Sequence, residues 1–495
     1  MKNETILLNE HYKYLSDYYS ELPSNCILNK GITGCGGTTV EIKADRNSII
    51  VVPTKELVRN KSDGINTYGL FGEIKGNKGI QNYINTKQGY KKIITTYDSL
   101  NRVISVLGQS AFTDYFLLID EYHIFFNYYS LRNKAIREVL SIFNKFNDFC
   151  FMTATGLTEE TMIEELKHLP IITLDWSEKV PVKVNVIETR FTLKTIELEM
   201  YKCLSSDYNL HIFFNSVKSI SSIIKKLGIP FDYRIICSSN SQKNLKLNFN
   251  HSTDPVSKIN FYTAACFEGV DIYDPVGKTI VLSDSNIATT LYDISTLFVQ
   301  ICGRVRDSIY KDEVTFILNP KQNRYAQKPD FNKNIEYGLA TIESINNGTE
   351  LFKNSQLEKL KKDPTLYHDY YVMLENNELK YDDNLRKVDS HNYTIFNKVY
   401  NTTLNVLMEL DKEPSLEVKD VQLNYNFDTK SELEKVIITG SIYDFDTLSG
   451  LLGNILNRKM IEFKRTDVDK YLNVERVRKR VDGKVKQLYK ITKIK

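Results

Sequence analysis

No stretch of this chain is apolar for long enough to cross a bilayer: its apolar runs, such as Ser48–Val52 and Tyr115–Ile119, are about one β-strand long. The first residues, Met1-Lys-Asn-Glu-Thr, lack the charged-then-apolar pattern of a secretory signal. The two absences lead us to expect no membrane partner and a cytoplasmic location. Cysteine is scarce, at positions 26, 35, 150, 203, 237, 266 and 302, and no two form a Cys-x-x-Cys pair. That excludes a clustered zinc site and a disulfide framework, and implies reduced thiols. No internal repeat or low-complexity tract breaks the sequence. What is present is ordinary globular material, 42% hydrophobic and 26% charged over 495 residues, enough for roughly three domains with large cores. The abundance of Asn, Lys, Ile and Tyr has the flavour of an AT-rich coding genome, such as a phage or mobile element, and the cytoplasm would then be that of a bacterial host.

Charge is nearly balanced but unevenly placed. Residues 458–495 hold 14 Lys+Arg against 5 Asp+Glu, a net +9 in a chain whose whole net charge is +3. A basic tail on a slightly acidic body suits a polyanionic partner.

The first third alternates short apolar runs with helix-compatible segments. Strands are expected at Cys26–Asn29, Ser48–Val52, Lys92–Thr95, Tyr115–Ile119 and Phe149–Met152. The pattern restarts with runs beginning at His211, Tyr233, Lys258, Thr279 and Glu313. Strands apolar on both faces and separated by helices imply parallel sheets covered by helices. Residues 335–410 read as polar and helical, and residues 411–446 as an acidic linker. Beyond them come an amphipathic helix over Asp446–Arg458, a helix-like Asp467–Leu472, a Val481-Asp-Gly-Lys turn signal and a closing strand at Gln487–Ile491. Helices followed by a basic hairpin suggest a winged helix. Both lobes are expected to close before residue 331, so that residues 445–495 could be removed without unfolding them.

Two motifs carry chemistry. Gly31-Ile-Thr33-Gly34-Cys35-Gly36-Gly37-Thr38-Thr39 follows a strand directly. Its glycines let the backbone aim several N–H groups at phosphates, and the Thr38 hydroxyl would ligate Mg²⁺. The usual loop has a lysine immediately before that hydroxyl, whereas this chain has Gly37. Lys30, just upstream, could reach back to supply the charge. The second motif, Leu117-Leu-Ile-Asp120-Glu121-Tyr122-His123, delivers two carboxylates at a strand end. Asp120 would hold Mg²⁺ and Glu121 would polarise the attacking water.

With these in register, the chain resembles the DEAH/DExH branch of the superfamily 2 helicases, with a lysine-less phosphate loop. Pro53-Thr54-Lys55 resembles motif Ia and Ile94-Thr95-Thr96-Tyr97 motif Ib, where that family grips a nucleic-acid backbone. Thr153-Ala154-Thr155 resembles motif III, which with His123 would couple hydrolysis to lobe movement. Phe213-Phe214-Asn215-Ser216 resembles motif IV, another nucleic-acid contact. Glu268-Gly269-Val270-Asp271 resembles motif V, on the nucleotide. Gln300-Ile-Cys-Gly303-Arg304-Val-Arg306 resembles motif VI, with its three polar groups on one helical face. There the resemblance makes Arg306 an arginine finger, Arg304 a bridge to phosphate and Gln300 an orienter of water.

The resemblance covers about residues 25–320 and implies two RecA-like lobes. The domains expected are 1–175 (motifs I, Ia, Ib, II and III), 176–330 (motifs IV, V and VI), a helical region with acidic linker over 331–444, and a basic nucleic-acid-binding tail over 445–495. ATP and Mg²⁺ are the implied cofactors. The implied function is ATP-dependent helicase or translocase action, with DNA favoured over RNA and replication or recombination proteins as possible associates. Two rivals remain: a module that binds nucleic acid and nucleotide with little hydrolysis, and the translocating subunit of a restriction-type complex. The tail holds no nuclease carboxylate cluster, so any cutting subunit would be a separate chain.

Overall fold

The computed structural model describes residues 3–177, 180–227, 232–242, 249–321, 329–363, 365–375, 377–423, 433–434, 436–455, 465–481 and 484–494. The chain divides into two compact units, each built from two pieces of sequence: residues 1–179 with 322–405, and residues 180–321 with 406–495.

Unit 1 is a parallel α/β lobe. Its strands are β1 (Glu4–Leu8), β2 (Cys26–Asn29), β3 (Ser48–Val52), β4 (Thr67–Leu70), β5 (Lys92–Thr96), β6 (Phe116–Asp120), β7 (Phe149–Thr153) and β8 (Ile171–Trp176). They run in the order β1-β8-β2-β7-β6-β3-β5-β4, each pair of neighbours parallel. The five strands expected in this third of the chain are all there. Strands β3, β5, β6 and β7 are buried at every position because helices cover both faces. Successive side chains alternate between two cores: Ile49, Val51, Leu117, Ile119 and Phe151 enter one, while Ile50, Val52, Leu118, Cys150 and Met152 enter the other.

Unit 2 repeats the plan with β9 (Val182–Glu188), β10 (Asn209–Phe213), β11 (Tyr233–Ile236), β12 (Ile259–Tyr262), β14 (Gly277–Asp284) and β16 (Glu313–Asn319). A small parallel pair, β13 (Ile272–Tyr273) with β15 (Val305–Arg306), lies apart from that sheet. The five expected strands are again present. The chain thus folds as two parallel-sheet α/β lobes, the fold class anticipated.

The second half departs from the reading of separate regions over 331–444 and 445–495. Residues 329–405 return to unit 1. Their helices Phe331–Asn346, Glu350–Lys362 and Asp383–Asn397 are joined by a hairpin of β17 (Val372–Glu375) and β18 (Glu378–Tyr381). The Tyr129 hydroxyl donates to Asp382 at 2.9 Å, Arg137 pairs with Asp382 at 3.5 Å, and Leu385 and Val388 enter the lobe core. The stretch read as an acidic linker contains β19 (Leu416–Gln422), which pairs in parallel with β9 and completes the order β11-β12-β10-β14-β16-β9-β19. Leu416 is buried while Glu417, Lys419 and Asp420 are exposed, and that mixed composition mimics a linker.

The basic tail is likewise part of a lobe. After β20 (Ile442–Tyr443) come helices Phe445–Ile455 and Arg465–Tyr471, then the hairpin β21 (Leu472–Val481) and β22 (Lys484–Ile494), with sheet order β20-β22-β21. Strand, two helices and hairpin is an order compatible with a winged helix. Asp482 and Gly483 of the expected turn, and the Met460-Ile-Glu-Phe segment, lie outside the described residues. Leu448, Leu451, Leu452, Val468, Leu472, Tyr489 and Ile491 share one core with Ile196, Met200 and Tyr201 of the helix Thr192–Leu204. Removing residues 445–495 would therefore strip one wall from the unit 2 core, which corrects the expectation that the lobes close before residue 331. Leu452 is fully buried there. Leu452→Ala should cost about 2–5 kcal/mol, the range for a buried leucine truncation. Chemical denaturation checks this, and a loss under about 1 kcal/mol would mean that the tail packs only loosely.

Candidate nucleotide site

Strands β2, β7 and β6 are neighbours at the centre of unit 1, and their C-terminal ends carry the glycine loop, Thr153 and the Asp120-Glu121 pair. Ligands of open parallel sheets bind outside those ends, because there the loops leave the sheet. The loop is anchored at its start. The Lys30 carbonyl accepts from Trp176 Nε1 at 2.7 Å and the Lys30 N–H donates to the Thr153 carbonyl at 2.8 Å. Gly31 follows at φ 74°, so close to β8 that a Cβ there would sit 2.3 Å from the Leu174 carbonyl oxygen. Only glycine fits. Gly34 and Gly36 also have positive φ, and the helix Gly37–Lys43 begins directly after. Thr33 and Thr39 are half-buried, while Cys35 is buried and its carbonyl accepts from the Leu15 N–H at 2.8 Å. Burial pushes the Cys35 thiol above its ordinary pKa, so it is an inert wall of the loop.

Gly37 explains its own identity. A Cβ at this position would lie 2.6 Å from Met152 Sδ and 3.4 Å from Lys30 Cδ. The space that a side chain would leave through is filled by the Met152 thioether and the Lys30 stem.

The acidic motif meets the loop directly. The Thr38 hydroxyl donates to Asp120 Oδ2 at 2.6 Å, and Lys30 Nζ lies 3.3 Å from Glu121 Oε1 and 3.7 Å from Asp120 Oδ1. All four side chains are nearly inaccessible. Burial raises the Asp120 pKa, with Glu121 adding to the effect and Lys30 and Thr38 opposing it. Glu121 sits at φ 55°, a left-handed conformation that costs a non-glycine residue on the order of 1 kcal/mol and is most often tolerated at functional sites. The kink turns its carboxylate away from the strand line. Its other oxygen faces Thr153 Oγ1 at 3.2 Å and His123 Nδ1 at 3.4 Å, and those two are 2.7 Å apart. The Thr155 N–H donates to Thr153 Oγ1 at 3.1 Å. Five predicted residues, Asp120, Glu121, His123, Thr153 and Thr155, thus form one connected buried cluster with Lys30 and Thr38.

The Thr38 hydroxyl and the Asp120 carboxylate are hard oxygen donors already in contact, which is the donor chemistry that Mg²⁺ prefers. Among the described residues no group of three His, Cys, Asp or Glu could hold a metal. A two-oxygen protein contribution fits an ion that keeps its waters and shares phosphate oxygens.

The motif Ia and Ib residues support the lobe as much as they line it. Thr54 caps the helix Lys55–Lys61 by accepting from the Leu57 N–H, the Pro53 carbonyl accepts from Arg132, and Lys55 pairs with Glu73. Thr95 is fully buried, its hydroxyl donating to the Leu70 carbonyl at 2.9 Å. Thr96 donates to Ser99 Oγ at 3.3 Å. Sequence reasoning missed Trp176 and Arg132 as supports, since neither belongs to a motif, and it read Met152 only as the residue before Thr153 in motif III.

In unit 2, Asn215 lies two residues past the end of β10 and takes the Ala264 N–H on its side-chain oxygen, and Ser216 opens the helix Val217–Leu227. Motif VI needs correction. The expected single helical face does not exist, because the helix Val299–Cys302 stops at Gly303 and Arg306 lies on β15. Gln300 is fully buried, its side-chain oxygen accepting from Arg304 Nη2 at 2.8 Å. Arg306 donates through Nε and Nη2 to Asp271 Oδ1 at 3.1 and 3.0 Å, which joins motifs V and VI beside Gly269, itself at φ 74°. A buried chain that no motif announced braces this small sheet. Arg234 donates to the Tyr262 hydroxyl (2.6 Å), Tyr262 meets His211 Nδ1 (2.9 Å), and His211 Nε2 meets Asp274 (2.8 Å), whose N–H donates to the Arg306 carbonyl. Burial would raise the Asp274 pKa, but the bonds from His211, Asn209 and the Val276 N–H hold it below the usual carboxylate range. Burial also lowers the His211 pKa, against the opposing effect of Asp274.

No family model and no curated protein matches the chain. Among solved structures it is similar to Mss116p bound to ssRNA and AMP-PNP, at 14% identity over 91% of this chain and 86% of that one, with a TM-score of 0.43. It is similar to the Mycobacterium smegmatis helicase Lhr bound to ssDNA and AMP-PNP, at 11% identity over 90% of this chain and 67% of that one, with a TM-score of 0.43. A third is RecG bound to a three-way DNA junction, at 16% identity over 60% of this chain and 40% of that one, with a TM-score of 0.36.

Proposed function

We propose that this chain is an ATP-dependent nucleic-acid motor, a helicase or translocase of the superfamily 2 type acting on DNA. One observation carries the reading: a glycine loop, a Thr38–Asp120 pair at 2.6 Å and Glu121 converge at the ends of β2 and β6, the two parallel neighbours of β7. The loop amides bind the phosphates of ATP, and Thr38 with Asp120 would hold Mg²⁺. When bound, that ion would neutralise phosphate charge as the leaving oxygen develops it. Glu121 takes the proton of the water that attacks the γ-phosphorus, while the bond from that phosphorus to the bridging oxygen breaks to leave ADP and phosphate. Thr153 of motif III and His123, both in contact with Glu121, are assigned to coupling the state of the phosphate to lobe movement. Arg306 and Arg304 of the second lobe are assigned to the transition-state charge. Pro53, Thr54, Lys55, Thr95, Thr96, Asn215 and Ser216 are assigned to the nucleic-acid track, with Thr95 acting from behind it because its hydroxyl is already engaged.

The hairpin β21–β22 supports a polyanionic partner. Lys479 and Lys486 face each other in register, and like charges directly opposite cost stability. Such a pair makes sense where phosphates pass. Changing the exposed Arg478, Lys479 and Lys486 to Gln should make the dependence of log affinity on log salt shallower by roughly two, since each phosphate contact contributes about 0.7–0.9. An unchanged salt slope would assign the hairpin to a protein partner. Motor action itself is tested by strand displacement on 5′- and 3′-tailed DNA and RNA duplexes with ATP. ATP-dependent displacement supports the reading, and its absence on every substrate, together with absent translocation, sinks it.

A further inference from the structure

We propose that Lys30 is both the phosphate-binding cation of this site and a latch on Glu121, released only by a nucleotide that carries a γ-phosphate. The inference rests on the nucleotide-site reading above and deepens it. Four observations carry it. A lysine at position 37 would have to displace the Met152 thioether, whose Sδ lies 2.6 Å from where its Cβ would be. The Lys30 stem runs through that same space, with Cδ 3.4 Å from where a Gly37 Cβ would be. Its ammonium ends 3.3 Å from Glu121 Oε1 and 3.7 Å from Asp120 Oδ1, almost wholly buried. The backbone of Lys30 is pinned through Trp176 and Thr153, so a rearrangement there falls to the flexible side chain.

The consequences follow from charge. The Lys30 ammonium offsets two buried carboxylates that would otherwise be costly to keep ionised. It also occupies Glu121 Oε1, the oxygen not facing Thr153 and His123. The terminal phosphate of ATP brings more negative charge than one carboxylate and so competes for the ammonium. Moving to the phosphate frees Glu121 for water in the same event that neutralises the substrate. ADP lacks the terminal group and leaves the latch closed. The departure at Gly37 is then a relocation of the lysine onto the strand before the loop, which couples substrate identity to release of the base.

The test is a double-mutant cycle in equilibrium binding of AMP-PNP and of ADP, each with Mg²⁺, on the full chain. Glu121→Gln removes the latch partner and should tighten AMP-PNP severalfold with ADP nearly unchanged. Lys30→Met in the Glu121→Gln background, which leaves fewer buried carboxylates unpaired than Lys30→Met alone, should erase that gain and weaken AMP-PNP at least about tenfold. Gly37→Lys with Met152→Ala added to that pair should recover part of the affinity. The proposal is overturned if Lys30→Met weakens the two nucleotides equally, or if the gain from Glu121→Gln persists without Lys30. If Lys30→Met leaves AMP-PNP binding intact while the wild-type chain binds nucleotide, the latch fails and the site reading survives. If the wild-type chain binds neither nucleotide, both fail.

Discussion

Glu121→Gln is expected to keep nucleotide binding and to lower turnover by on the order of 10³-fold, within the 10²–10⁴ that a positioned general base supplies. The substitution keeps the shape of the side chain and its contacts with Thr153, so stability should change little. What it removes is the capacity of a carboxylate to take a proton, one oxygen of which lies 3.3 Å from Lys30 and the other 3.2 Å from Thr153. The left-handed backbone at Glu121 makes the position costly to maintain for packing alone. Single-turnover hydrolysis with bound ATP separates chemistry from binding and release. Wild-type-like hydrolysis in this variant would take Glu121 out of the mechanism, and Asp120 would be left as a carboxylate holding only the metal.

Arg306→Ala is expected to cost on the order of 10³-fold in turnover, the lower end of the range for an arginine finger, with a much smaller loss of nucleotide affinity. Its guanidinium is held by Asp271 through Nε and Nη2, which leaves Nη1 as a donor for developing charge. Arg306→Lys should rescue little, since an ammonium cannot keep the Asp271 contact and reach onward in the same plane. A fall of less than about fivefold in the alanine variant would transfer the finger role to Arg304, which is buried against Gln300.

Much of this architecture was legible because the chemistry and the hydrophobic pattern coincide. Ten strands, from Cys26–Asn29 to Glu313–Asn319, read as continuous apolar runs because helices cover both faces of each sheet. The contact between the glycine loop and Asp120-Glu121 could be expected because both motifs leave strand ends. The register that places β7 between β2 and β6, and so brings Thr153 to Glu121, has no local signal. Strands β1, β4, β8, β9 and β19 were not legible because each is only partly buried. Motif VI misled, since a spacing that suits a helix is carried here by a helix end, Gly303 and a short strand. The tail read as detachable because its charge is obvious in sequence, whereas the packing of Leu448 and Leu452 onto Met200 and Tyr201 is not. Met152 at Gly37 shows the same limit: the missing lysine was visible, but the side chain that fills its path comes from a strand more than a hundred residues away.

Under the proposed function, this cluster hydrolyses ATP in response to nucleic acid. Steady-state ATP hydrolysis by the full chain, measured with and without single-stranded DNA or RNA and with Glu121→Gln as control, tests it most directly. Mg²⁺-dependent hydrolysis is expected to rise at least severalfold with nucleic acid and to disappear in the control. Hydrolysis indistinguishable from the Glu121→Gln background on every nucleic acid would contradict it.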